Sequence, residues 1–210
     1  MIHFDRKDVD KMPYVFRINL MNSVSGYKSA NLIGTKSKSG HPNLAVFSSI
    51  THIGSNPPLL GFFMRPTTEI RNTYENILET GTYTVNHIHS SIIEEAHHTS
   101  AKYERGISEF DQSGLKELYR EDFSAPYVLG TPVQLGLSFV EEHPIKANGT
   151  ILIIGRVEHV YIDDHLFRSD GFIDLTEGQI ATINGLDAYA VPETNNRLSY
   201  QRPKPISSFI

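Results

Sequence analysis

The 210-residue chain contains no cysteine. That absence excludes disulfides, thiol redox chemistry, cysteine nucleophiles and Cys-ligated iron–sulfur or zinc sites together. Any redox chemistry must therefore be carried by a bound cofactor. Positive charge is also scarce: 19 Lys and Arg against 24 Asp and Glu give a formal net charge of −5. No Lys/Arg-rich block breaks that balance, which argues against a nucleic-acid footprint, and an anionic ligand would need a local cluster of cations. No apolar run is long enough to cross a bilayer. The N-terminal stretch MIHFDRKDVDKMP carries charges throughout and lacks the regions of a signal peptide, so a cytoplasmic protein is expected. Also missing are a GxGxxG turn of the Rossmann type and a GxSxG nucleophile elbow. There is no internal repeat.

What is present is β-rich. The segments Ala30–Thr35 and Leu44–Thr51 have the length and apolar density of strands, and KSKSGHP between them reads as a hairpin turn. Leu59–Met64 reads as a short buried strand after the Asn56-Pro57-Pro58 break. TYENILETG after Arg71 predicts a helix of about two turns with Tyr74, Ile77 and Leu78 on one face and Gly81 as its stop. Thr82–Ile88 alternates as a strand, and Ser90–Ser100 predicts a second helix with Ser90 as its N-cap. Ala101–Ser124 is polar and irregular, with Phe110, Leu115 and Leu118 as anchors, and is expected to pack back on the barrel. Pro132–Glu141, Gly149–Asp163 and Gln179–Asn184 are three more strands. Strands at such spacing with two or three short helices predict a closed antiparallel barrel, since a parallel sheet would need a helix between most strands. The expectation is a single domain over residues 1–210, with an extended tail from about residue 193 that holds Pro203 and Pro205.

The densest chemistry lies between Asn43 and Thr73. Ser48, Ser49 and Thr51 alternate with apolar residues, which suits a flat polar ring against backbone amides. Arg65, Thr67, Thr68, Arg71, Asn72 and Thr73 fall within nine residues just before the predicted helix. Free N–H groups at a helix start, beside a guanidinium, suit a phosphate. An ordinary half-exposed strand, a solvated arginine and an N-cap threonine would also account for these residues.

Four blocks in register, NLAVFSSITHIGSNPPLLGFF, RNTYENILETGTYTVN, ISEFDQSGL and INGLDAYAVPETNNRLSYQRP, resemble the flavin reductase-like family, in particular its flavoredoxin-like branch. The resemblance runs from about Tyr14 to Pro203. It implies a mainly β, antiparallel split β-barrel of the FMN-binding type, a homodimer, FMN near the dimer interface, and NADH or NADPH as a transient co-substrate. It further implies that Asn43, Ser48, Ser49, Ile50 and Thr51 line the isoalloxazine, and that Arg71, Asn72 and Thr73 hold the phosphate. Arg65 and Thr67 lie in the preceding loop, with Lys102 and Arg105 as further cations. A carrier or sensor that binds FMN without nicotinamide turnover fits the same residues. PTTEI also places Glu69 two residues before Arg71, and a phosphate held there requires the Glu69 carboxylate to turn away.

Ten histidines raise the alternatives of a metal site or a hydrolase. His87 and His89 would face one side of a strand, while His97 and His98 would diverge on a helix. Neither spacing matches a His-rich metal signature such as HExxH. His52 reads as a packing residue.

Overall fold

The computed structural model describes residues 1–104, 106–120, 122–194, 196–200 and 202–203. Two helices, α1 (Arg6–Lys11) and α2 (Tyr14–Ser23), precede the sheet. Strands β1 (Lys28–Ser29), β2 (Asn31–Lys36), β3 (Pro42–Phe47), β4 (Thr51–Ser55) and β5 (Pro58–Met64) follow. Helix α3 (Asn72–Thr80) leads into β6 (Thr82–His87), and α4 (Ile93–His98) and α5 (Glu109–Ser113) into β7 (Glu117–Arg120) and β8 (Phe123–Val128). The long pair β9 (Val133–Ile145) and β10 (Thr150–Ile162) and the short β11 (Thr182–Asn184) and β12 (Ala188–Ala190) complete the chain.

The hairpin expected of KSKSGHP joins β2 to β3, with Leu44 opposite Gly34 and Gly40 at a positive φ of 91°. The run Leu44–Thr51, however, is two strands and not one. Ser48, Ser49 and Ile50 belong to neither. The reason lies in the sheet order, β3-β2-β6-β9-β10-β5-β4, all antiparallel, which puts β3 and β4 at opposite edges of seven strands. In a flat sheet those edges would lie roughly 29 Å apart. The four steps from Phe47 to Thr51 reach at most about 14 Å. The sheet must therefore curl until its edges nearly meet, and Ser48–Ile50 cross the remaining seam. This is the split barrel, reached from chain connectivity alone.

Burial follows the two-residue period of the strands. On β2, Leu32 faces one apolar cluster with Leu44, Ile88, Phe110 and Val128, while its neighbour Ile33 faces the other with Phe62, Tyr83, Leu137 and Ile153. The second cluster fills the barrel. The first is roofed by α4, α5 and the small sheet β1-β11-β12. Both faces of β2 are thus covered, which explains why Asn31 through Thr35 are buried without a break. Fully burying a side chain such as Phe62 stabilises the fold by roughly 2–3 kcal/mol.

Several expectations shift in detail. Helix α3 stops at Gly81, which adopts φ 73° as expected, but its buried face is Thr73, Asn76 and Ile77, with Tyr74 half-buried and Leu78 48% exposed. Leu78 points outward because the face toward β2 and β3 is the one carrying Thr73 and Asn76. The Ser90–Ser100 segment starts as a 3₁₀ turn over Ser90–Ile92, capped by the His89 ring and not by Ser90. The stretch 101–124 is more regular than expected, holding α5 and the β7–β8 hairpin; Phe110 and Leu115 are buried as anchors. Five α-helices are found among the described residues where two or three were expected. Helices α1 and α2 carry no buried residue, so no apolar stripe announces them. Residues 191–194, 196–200 and 202–203 have no regular structure, while Pro205 lies outside the described residues.

Candidate functional site

The seam and the start of α3 are joined by a buried polar network. Asn43, on β3, donates from Nδ2 to Thr73 Oγ1 at 3.0 Å and lies 3.4 Å from Thr35 Oγ1. Asn76 donates to the same Thr35 hydroxyl at 3.1 Å. All four residues are buried. Buried amides and hydroxyls must pair with one another, and here that requirement fixes the first turn of α3 against β2 and β3. The N-cap position is Arg71, which makes no side-chain cap bond; Thr73, expected as a cap, sits one residue inside the helix start.

At the seam, Ser49 stands where the β4–β5 register, with Thr51 opposite Gly61, would place it against Phe63. Its hydroxyl replaces the missing backbone rung: Ser49 Oγ accepts from the Phe63 N–H at 3.1 Å and donates to the Phe63 carbonyl at 3.3 Å. The Ile50 side chain packs into the barrel core. Among the described residues, no loop or turn backbone hydrogen bond involves Ser48, Ser49 or Ile50. The Ser49 and Ile50 side chains at the seam are thus engaged within the chain. Thr51 is exposed at the head of β4.

One further step along β5 brings Arg65, and the loop to α3 carries the charges. Arg65 and Thr67 are exposed, and Arg65 makes no ion pair among the described residues. Arg71 donates from Nε to the Pro66 carbonyl at 3.4 Å. Its guanidinium lies 3.8 Å from the Glu69 carboxylate, which accepts from Lys102 Nζ at 3.0 Å. Lys102 is thereby brought beside Arg71 from a distant part of the chain. Arg105 lies outside the described residues. Glu69, whose carboxylate must turn away for a phosphate to be held there, faces both cations in the ligand-free chain. The Lys102 ammonium, and behind it the Arg71 guanidinium, hold its carboxyl below the usual carboxylate range. A groove of about 500 Å³ continues from Asn43 and Asn72 along α3 to Glu79, with Ser37, Lys38 and His41 of the hairpin on its other side.

One buried acid escaped sequence reading. Glu109, at the start of α5, accepts the Leu44 N–H at 3.0 Å, so a carboxylate closes part of the free edge of β3. Burial pushes its carboxyl upward, opposed by that hydrogen bond. Of the histidines, His97 and His98 do diverge, toward Tyr189 and Tyr103. His87 ends β6, and burial lowers its ring to about 4, while His89 has left the strand to cap a turn. His52 is exposed on β4 and not packed. No group of three or more His, Asp or Glu suited to a metal occurs among the described residues.

The site is thus a curled seven-strand sheet whose edges are bridged by a Ser-Ser-Ile crossing, with two cations beside the start of α3. The flavin reductase like domain matches residues 25–176. The chain belongs to the flavin reductase-like family. Within it, a split-barrel protein of the flavin reductase type from Shewanella frigidimarina is 42% identical, with a TM-score of 0.92 over 96% of this chain and 100% of that one. The flavoredoxin of Desulfovibrio vulgaris (Miyazaki F) is 21% identical, with a TM-score of 0.68 over 88% and 93% of the two chains. An FMN-binding protein from Thermus thermophilus is 18% identical, with a TM-score of 0.67 over 81% and 90%. The last two bear on the split-barrel fold alone. No helix among the described residues is long and apolar enough to cross a membrane.

Proposed function

We propose that this flavin reductase-like protein binds FMN across the seam and transfers hydride or electrons from NADH or NADPH to an acceptor. The observation that carries the reading is the convergence of Arg71 and Lys102 on one Glu69 oxygen at the start of α3, which the Asn43–Thr73 bond locks beside β3.

The residues fit such a group. Arg71, Lys102, Arg65 and the first N–H groups of α3, including those of Asn72 and Thr73, form a donor set for a phosphate. Thr67 adds a hydroxyl at its rim. The Ser48–Thr51 backbone, with the Ser49 side chain turned to Phe63 and that of Ile50 to the core, offers amides to the ring's polar edge, and Asn43 holds the strand that carries them. When bound, FMN supplies the hydride and electron chemistry. The chain's own part is to grip the phosphate, orient the ring at the seam and leave one face open. A nicotinamide nucleotide would dock there transiently, since the chain has no Rossmann turn of its own.

A homodimer completes this reading. Tyr14, Val15 and Phe16 on α2 and Ile53 on β4 are exposed apolar residues, and α2 buries nothing within the chain. Apolar surface of that kind favours association.

The test is the visible spectrum of the purified protein, followed by FMN titration and then anaerobic addition of NADH or NADPH. A yellow protein that bleaches supports the reading. One that stays oxidised is a carrier or sensor, and one that takes up no FMN overturns the proposal. Light scattering on the same sample reads the mass expected of a dimer.

A further inference from the structure

Resting on the FMN reading above, we propose that Glu69 is a resident anion in the phosphate grip, a competitor that the ligand phosphate must displace and that thereby sets which anions the site accepts. Glu69 Oε2 is 3.0 Å from Lys102 Nζ and 3.8 Å from the Arg71 guanidinium, so one carboxylate oxygen serves both cations. It contacts them from a loop between β5 and α3 and not from the buried network, and its side chain is 58% exposed. An exposed carboxylate on a loop can swing out at little cost; the Asn43–Thr73 pair beneath it cannot.

The charges decide what displaces it. A flavin phosphate carries roughly −1.5 to −2 at neutral pH and three acceptor oxygens, against one charge and two oxygens for Glu69. It can satisfy Arg71, Lys102 and the α3 N–H groups at once, which the side chain cannot do. A weaker anion, such as chloride or a lone carboxylate, offers no such surplus and leaves Glu69 in place. The cation pair is thus kept matched without ligand and selects for phosphate over other anions. In this arrangement Glu69 is a specificity-determining residue that opposes binding, and Arg71 and Lys102 are the residues that favour it.

Titrating wild type, Glu69→Gln and Glu69→Ala with FMN and, separately, with riboflavin tests this, because riboflavin shares the ring and ribityl chain and lacks the phosphate. Both variants are expected to bind FMN about two- to fivefold more tightly than wild type, in line with the strength of exposed ion pairs. Riboflavin affinity should not change. The gain should shrink in 0.5 M salt, as exposed charges are screened. If wild type binds FMN and the variants bind it equally or less tightly, Glu69 positions the cations and the proposal is overturned. An equal gain for riboflavin also overturns it, since the phosphate would then play no part. If no form binds FMN, the function proposed above fails, and this inference with it; only that last result touches both.

Discussion

Two clusters stand within a few residues of each other at the start of α3 and are built in opposite ways. Asn43, Thr35, Thr73 and Asn76 are neutral, buried and paired with one another. Glu69, Arg71 and Lys102 are charged and paired through one oxygen, with Glu69 and Lys102 exposed and Arg71 half-buried. A buried neutral network is costly to disturb because each orphaned group loses a partner without regaining water. An exposed ionic cluster is cheap to rearrange because water stands ready for every charge. The first sets where the helix begins; the second is free to change partners when an anion arrives.

The sharpest break of that contrast is Asn43→Ala. It strips a donor from two buried hydroxyls, and a stability loss of about 2–3 kcal/mol is expected in urea denaturation. A wild-type midpoint would show that the network does not anchor α3. Arg71→Ala should invert the pattern: FMN binding weakens by about 2 kcal/mol, roughly thirtyfold, read by flavin fluorescence, while the denaturation midpoint barely moves. A large loss of stability there would place Arg71 with the structural cluster. Ser49→Ala lies between the two, removing both bonds to Phe63, and should cost about 1 kcal/mol of stability together with a loss of flavin affinity.

The smallest effect is in pH. Burial raises the Glu109 carboxyl in the folded chain, so the native state holds that proton more tightly than the unfolded one. Its contribution is fully present below the unfolded carboxylate pKa and is lost as pH rises through the folded value. Glu109→Gln keeps an acceptor for the Leu44 N–H and should flatten that slope in thermal melts collected from acid to neutral pH. His87 runs the other way. Its folded value near 4 lies below the ordinary one for histidine, so stability should fall as pH drops from about 6.5 to 4.

How far these features could be read beforehand follows from what marks them in the sequence. The β2–β3 hairpin and α3 were legible because Gly40, Pro42 and Gly81 punctuate them. The seam was not, because Val46 through Ile53 run on with no glycine or proline to interrupt them; only the sheet order, a long-range property, splits that run. The shift of the α3 face from Leu78 to Asn76 has a similar cause: a buried amide looks polar until its partners Thr35 and Asn43 are in place. Lys102 carries no local signal that joins it to Arg71, and folding brings the two to one carboxylate across more than thirty residues. Glu109 left no trace, since an acid at a helix start reads as a favourable dipole partner and not as a plug for a strand edge. Helices α1 and α2 did carry a signal in the capping box of Asp5 and Asp8 and in Pro13 before Tyr14, but no apolar stripe drew attention to it.

The rung that Ser49 supplies to Phe63 has a consequence for how such a barrel can vary. Ladder bonds belong to the backbone, and no ordinary side-chain replacement except proline deletes them. At the seam the same job falls to one hydroxyl oxygen, so a single codon change there can alter how tightly the crossing is held to β5 while every strand pairing elsewhere stays intact. The mouth of the barrel is therefore its most adjustable part, the place where descendants of this chain could widen or narrow the opening without having to refold the sheet.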